Sequence, residues 1–248
     1  MNKFNVRRVF AITILTTTVV AATQAKASND DTPGTWVAFS AGGNLDTNKL
    51  FKLDIKEENR FTKKHLSEVH SQISLGYKVT DWFEIAPRIH SIYARNDSLN
   101  GRKKGSGNGY VDHGWERELR VGADGTFSYT LAGFKLSDRN RVVWREYEDD
   151  HGFWRYRNRI QVVTPWKWTQ YKINPYTSYE VFFDDGKPSK DVRRNDKFDQ
   201  WRFVVGAKAK LSDNWTLDAY YLLQEKKDTG DHDWSGHHII GVGLAYKF

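Results

Sequence analysis

Residues 115–131 read WERELRVGADGTFSYTL, and their polarity alternates at every second position. One face carries Trp115, Arg117, Leu119, Val121, Ala123, Gly125, Phe127, Tyr129 and Leu131; the other carries Glu116, Glu118, Arg120, Gly122, Asp124, Thr126, Ser128 and Thr130. Successive side chains of a strand point to opposite faces, so a period of two means a β-strand with one apolar and one polar side.

The same period recurs outward from this segment. In Lys49–Arg60, Phe51, Leu53 and Ile55 alternate with Lys52, Asp54 and Lys56; in His65–Val79, Val69, Ile73, Leu75 and Tyr77 alternate with Glu68, His70, Gln72 and Ser74. Further strands are expected at 82–95, 134–147, 152–163, 168–183, 199–211, 214–225 and 236–248, with Pro87 breaking one ladder bond and marking a bulge. No segment after the first 27 residues has a helical period. The expected fold is therefore all-β: a single antiparallel transmembrane β-barrel of about 10 strands. Thr35–Ser40 is a short extra segment without an assigned place, and twelve strands is the alternative closure.

Connections, aromatic residues and the last strand argue for the membrane. Short turns are expected at 80–81, 132–133, 164–167 and 212–214, and longer polar loops at 96–113, 148–151, 184–198 and 226–235, the asymmetry of periplasmic turns and external loops. Trp82, Trp166, Trp168 and Trp215 flank the turns, whereas Trp115, Trp144, Trp154, Trp201 and Trp234 lie near the loops, which makes two aromatic belts. In the last strand Val242, Leu244, Tyr246 and Phe248 alternate with Gly241, Gly243, Ala245 and Lys247. A soluble protein avoids such an apolar row on an edge strand, because it invites pairing with other chains. A soluble barrel of lipocalin type has the same period but needs its apolar residues inside.

Four runs carry a resemblance: Gly133-Phe134-Lys135-Leu136-Ser137-Asp138-Arg139-Asn140-Arg141, Trp154-Arg155-Tyr156-Arg157-Asn158-Arg159, Pro165-Trp166-Lys167-Trp168, and Pro175-Tyr176 through Glu180. With them most of the chain after residue 27 resembles an uncharacterised bacterial outer-membrane family, a domain of unknown function, distantly similar to the small monomeric porins for oligogalacturonate. Val143 and Trp201-Arg202 depart from that pattern. The ending on Phe248 resembles the terminal signature of outer-membrane barrels, which implies delivery to the barrel-assembly machinery.

The N-terminus is consistent with export. Lys3, Arg7 and Arg8 precede the apolar run 9–22, which ends in Ala25-Lys26-Ala27, so residues 1–27 read as a signal peptide cleaved before Ser28. The run of roughly 14 residues is shorter than the ~20 of a spanning helix. Of 38 basic residues, Lys3, Arg7, Arg8 and Lys26 leave with it, so 34 face 31 acidic ones, too even a balance for a nucleic-acid binder. There are no cysteines, hence no disulfide staple. A mean hydropathy of −0.71 suits a barrel, because half of each strand faces water or polar groups.

Chemistry concentrates on two neighbouring strands. By alternation Arg139, Arg141 and Arg145 point inward from one, beside Lys135, Ser137 and Val143, and Arg155, Arg157 and Arg159 from the next. A lipid-facing arginine at the bilayer midplane would cost about 2–4 kcal/mol, so these six groups belong in the lumen. Glu116, Glu118 and Glu180 are the expected carboxylate partners, leaving about three surplus positive charges. Asp138 and Asn140 fall on the outer face, which suggests a bulge near the periplasmic end or a different register. The patch predicts a narrow porin-like channel favouring anionic solutes such as acidic oligosaccharides; the alternatives are a closed structural barrel and an outer-membrane lipid hydrolase. For the hydrolase, Ser71, Ser91 and His238 face outward, but no G-x-S-x-G elbow occurs. Neither His232, Asp233, His237 and His238 nor Asp149, Asp150 and His151 has metal-ligand spacing, so no cofactor is expected. The basic loop with Arg102, Lys103 and Lys104 suits lipopolysaccharide phosphates, and the expected assembly is a monomer among outer-membrane lipids.

Overall fold

The computed structural model describes residues 34–62, 65–95, 114–148, 150–185, 197–227 and 234–248. The expected signal segment 1–27 and the basic loop around Arg102 lie outside them. Eleven strands follow one another: β1 (Gly34–Asn44), β2 (Phe51–Thr62), β3 (His65–Lys78), β4 (Phe83–Arg95), β5 (Trp115–Leu131), β6 (Phe134–Tyr147), β7 (Asp150–Val163), β8 (Asn174–Asp185), β9 (Phe198–Lys210), β10 (Trp215–Lys227) and β11 (Trp234–Lys247). Each pairs antiparallel with the next, and β1 closes the barrel against β11.

The count falls between the expected ten and twelve because residues 34–44 form a full strand. Thr35 to Asn44 pair with Phe61 to Lys52 of β2, and Gly34 to Gly42 pair with Ile239 to Lys247 of β11. With an odd number of alternating strands the first and last run the same way, so this seam is parallel. Every backbone edge is thereby used, which removes the exposed row that makes open edges sticky.

The sheet separates residue types by face. Outside, Ile55, Ile73, Ile89, Val121, Phe127 (43% exposed), Leu131 (57%), Ile160, Val205 and Ile240 are exposed. Inside, Glu58, His70, Arg88 (4%), Glu118 (4%), Asp124, Arg141, Arg145, Arg155 and Glu180 are buried. Val242 and Leu244 share the outward alternation of Ile240, since Ile239 is buried opposite Leu222. The expected sidedness therefore holds, and the lipocalin arrangement is reversed.

Aromatic rings gather near both ends. At one end Trp82, Phe83 and Phe127 stack, Trp166 lies parallel to Trp168, and Trp215 packs on Phe39 and Tyr246. At the other end Trp144 meets Trp154, and Tyr156, Phe183, Phe198 and Trp234 form a chain of contacts. Trp36 differs, being buried inside.

Connection lengths are less regular than expected. The two-residue turn Ala132-Gly133 has positive φ at both positions (48° and 83°), as a tight hairpin turn requires. The strand expected from 168 starts only at Asn174, whose side-chain amide donates to the carbonyls of Thr164 and Trp166 and holds residues 164–173 as a loop. At the opposite end the β6–β7 connection is only 148–149, whereas 96–114 and 186–197 are long.

Neither bulge expected from the sequence occurs. Pro87 interrupts the β3–β4 ladder between Ser74↔Arg88 and Tyr77↔Ile85, yet the register resumes in phase. Asp138 and Asn140 also sit in an unbroken ladder and point outward, where Asn158 donates to both (2.5 and 3.0 Å) and the Tyr156 hydroxyl donates to Asn140. These side chains stay outside because they satisfy one another. The register shifts lie at Arg60/Phe61, Arg145/Tyr147 and Phe182/Phe183, all toward the end with the long loops.

Inside, two tyrosines lie over glycines. Tyr220 opposes Gly241 and Gly206, and an added Cβ at Gly206 would come within 2.7 Å of the Tyr176 and Tyr220 side chains. At Gly241 a Cβ would come within 2.0 Å of the Tyr220 ring. Gly241→Ala is expected to cost about 1–3 kcal/mol by overpacking, seen as a lower urea midpoint at unchanged slope in the folded barrel.

Candidate functional site

Strands β6 and β7 bring the predicted arginines together, because alternation sends them inward and register places them opposite one another. Arg139 faces Arg159, and Arg141 faces Arg157, across the ladder. Like charges directly opposite are destabilising in a sheet. At about 5 Å and an effective dielectric of about 20 the repulsion is about 3 kcal/mol per pair. Carboxylates from neighbouring strands offset it.

Three clamps serve most of the wall. Asp124 accepts from Arg141 through both oxygens (2.6 and 2.7 Å) and from Arg88 (3.1 Å). Glu118 accepts from Arg145 (2.5 and 3.0 Å) and from Arg120 (2.6 and 2.9 Å), which oppose each other in register. Arg155 donates to Asp184 and, at 3.0 Å, to Asp199. Bidentate pairs of this kind are the strongest ion pairs that side chains make.

The fourth group is unbalanced. Glu180 accepts from Arg139 and Arg157 at 2.9 Å, and the Arg202 guanidinium stands 3.9 Å away. Arg159 opposes Glu180 in register but meets no carboxylate at ion-pair distance among the described residues. Among the described residues one carboxylate thus stands among four guanidinium groups, a local surplus of three positive charges, with the Arg202 Nε donating to the Gln224 side-chain carbonyl at 2.8 Å. The Nε atoms of Arg139, Arg157 and Arg159 are buried and have no hydrogen-bond partner. Aromatic faces take part of the load: Phe182 lies under Arg157 (4.5 Å) and Arg202 (4.8 Å), and Trp36 lies under Arg60 (3.8 Å) and Arg202 (5.1 Å).

All six predicted arginines therefore line the interior, but the expected partners change. Glu118 and Glu180 are partners, whereas Glu116 makes no ion pair with any of the six among the described residues. Asp124, Asp184 and Asp199 supply the missing charge. Asp124 was legible, since it shares the polar face of β5 with Glu118. Asp184 was expected in the loop 184–198, but β8 continues to Asp185 and carries it on the inward face of Glu180 and Phe182. Asp199 was not legible: the irregularity opposite Phe182/Phe183 turns both Asp199 and Gln200 inward, which no alternation predicts.

A second buried chain runs along β2–β4. Glu58 and Glu68 both bind Arg60, Glu68 contacts His70 at 2.6 Å, and His70 contacts His90 at 3.0 Å. At the rim with the short turns, Lys78 and Lys210 hold the carboxyls of Asp81 and Asp213 below the ordinary carboxylate range.

The outward Ser and His residues do not converge. Ser71 donates to Glu57 at 2.6 Å on β2, and His238 pairs with the Tyr221 hydroxyl on β10. Between His238 on β11 and Ser71 on β3 lie the whole of β1 and β2. His232, Asp233 and Asp149 lie outside the described residues, and among the described residues no three His, Asp or Glu side chains converge as a metal site.

Among curated proteins no sequence matches this one. Residues 33–235, from the start of the barrel into β11, match the family described as protein of unknown function DUF2490, and the chain belongs to that family.

Proposed function

We propose that this protein is an outer-membrane barrel acting as a narrow diffusion channel with a preference for anionic solutes, acidic oligosaccharides among them. The observation that carries the reading is the inverted sidedness: aliphatic and aromatic side chains clothe the outside, while arginine carboxylate clamps and one unbalanced arginine group line the inside. Burial of so many ionised groups under an exposed apolar wall is the reverse of a soluble protein and is what a lipid-embedded barrel needs. A sheet of eleven strands tilted by about 40° has a backbone radius of about 11 Å, between barrels that side chains fill and open porins. Long arginine side chains would narrow that bore to a selective path.

Purified protein inserted into planar bilayers under a chloride gradient is expected to give small, stable conductance steps and a reversal potential of anion-preferring sign. Absence of conductance, or cation preference, would remove the channel reading.

One observation favours a second reading, a closed structural barrel: Arg139, Arg141, Arg145, Arg155 and Arg157 all have carboxylate partners. Such a barrel inserts into lipid and changes its gel mobility on heating but carries no current.

A further inference from the structure

Among the described residues, the group around Glu180 holds three buried arginine Nε atoms without an acceptor. Arg139, Arg159, Glu180 and Arg202 occupy adjacent positions in one row across β6, β7, β8 and β9, and Arg157 joins them one pair along. All five lie well inside the ends of their strands, so the group stands within the barrel rather than at a rim. Two other acids of this wall each clamp a pair of arginines: Asp124 takes Arg88 and Arg141, and Glu118 takes Arg120 and Arg145.

Donor geometry makes the surplus specific. Arg139 and Arg157 each spend an Nη2 on Glu180, which leaves Nε, the other half of the same bidentate edge, without an acceptor. Arg159 spends nothing on a carboxylate, and its Nε also lacks an acceptor. Guanidinium edges match oxygen pairs rather than single-centre ions such as chloride. Three such edges around a surplus of three charges exceed what one monocarboxylate can satisfy. Arg139 and Arg157 keep 17% and 11% side-chain exposure toward the bore, so rotation about their last torsions suffices to present these edges.

We propose that Arg139, Arg157, Arg159 and Arg202 form a binding site for a dianionic tetrahedral oxyanion, a sulfate or phosphate group on a solute entering the bore, with Glu180 as the built-in competitor that keeps the site reversible. The proposal rests on reading the interior as water-accessible, but it needs no ion flow.

The test is isothermal titration of the detergent-folded barrel with inorganic sulfate and, separately, inorganic phosphate at about pH 8.5, above the second ionisation of both anions. Acetate and chloride at matched ionic strength are the controls. One saturable site is expected for sulfate or phosphate, the tighter of the two naming the group, with no saturable heat for the controls. Arg159→Gln is expected to weaken binding at least about tenfold, and Glu180→Gln to tighten it by about tenfold through loss of the competing charge. Unchanged heat-modifiable mobility certifies that each variant is folded. Glu180→Gln keeps the test decisive if Arg159→Gln fails to fold. No saturable heat in either the wild type or Glu180→Gln, or equal affinity in folded Arg159→Gln, overturns the proposal. Binding in a barrel without conductance would retain this site and remove the channel; anion conductance without sulfate or phosphate binding would do the opposite.

Discussion

Asp124→Asn is expected to lower the unfolding free energy by about 3–5 kcal/mol, the range for breaking a buried ion pair on one side only. The Asp124 carboxylate accepts from Arg141 through two short bonds and from Arg88 through a third, and all three residues are buried. The amide is nearly isosteric, so no cavity forms; what is lost is one negative charge between two guanidinium groups. Arg141 additionally faces Arg157 in register, so the stranded charge stands beside another of the same sign. Urea unfolding of the lipid-reconstituted barrel reads the effect as a lower midpoint with an unchanged slope. Arg88→Gln in the same background is expected to recover part of the loss, because one carboxamide then faces one arginine instead of two. A loss below about 1 kcal/mol would mean that the interior is hydrated enough to screen the charges, as at an ordinary surface pair.

The second large effect concerns selectivity. Changing Arg139, Arg157 and Arg159 together to Gln leaves Arg202 opposite Glu180 and cancels the local surplus of three charges. Charged constrictions with low-dielectric walls concentrate counter-ions by about 10–10³-fold. On the proposed channel function, the anion-over-cation permeability ratio of the reconstituted protein is therefore expected to fall at least about tenfold. Lys197→Gln, which removes an exposed charge beside Asp185 near the long-loop end, is expected to leave the ratio unchanged. A selectivity that survives the triple substitution but disappears with Lys197→Gln would place the filter at the mouth and not in the bore.

Much of this architecture is legible in the chain. Segments 115–131 and 134–147 are strands at the boundaries that alternation predicts, and the six arginines point where it sends them. Other features were not legible for identifiable reasons. A strand was expected from residue 168 after a short turn at 164–167, but Asn174 captures the carbonyls of Thr164 and Trp166 and holds residues 164–173 as a loop. Thr35–Ser40 looked too short to place, because the parallel partner of β1 lies at the far end of the chain. Asp138 and Asn140 looked misplaced until Asn158 and Tyr156 supplied their partners from the next strand.

The sequence by itself determined the face that almost every residue takes, because a period of two is a local property of extended backbone and needs no knowledge of neighbours. It therefore determined an all-β chain and an arginine-bearing wall opposed to an apolar one. Only the tertiary structure decided that eleven strands close through a parallel seam, that Asp199 joins the wall, and that among the described residues Glu180 is the one carboxylate within a group of four arginines. Those outcomes depend on cross-strand register and on three local irregularities near one end. Register is fixed by closure of the whole sheet, so which carboxylate reaches which guanidinium is a property of the ring and not of any strand in it.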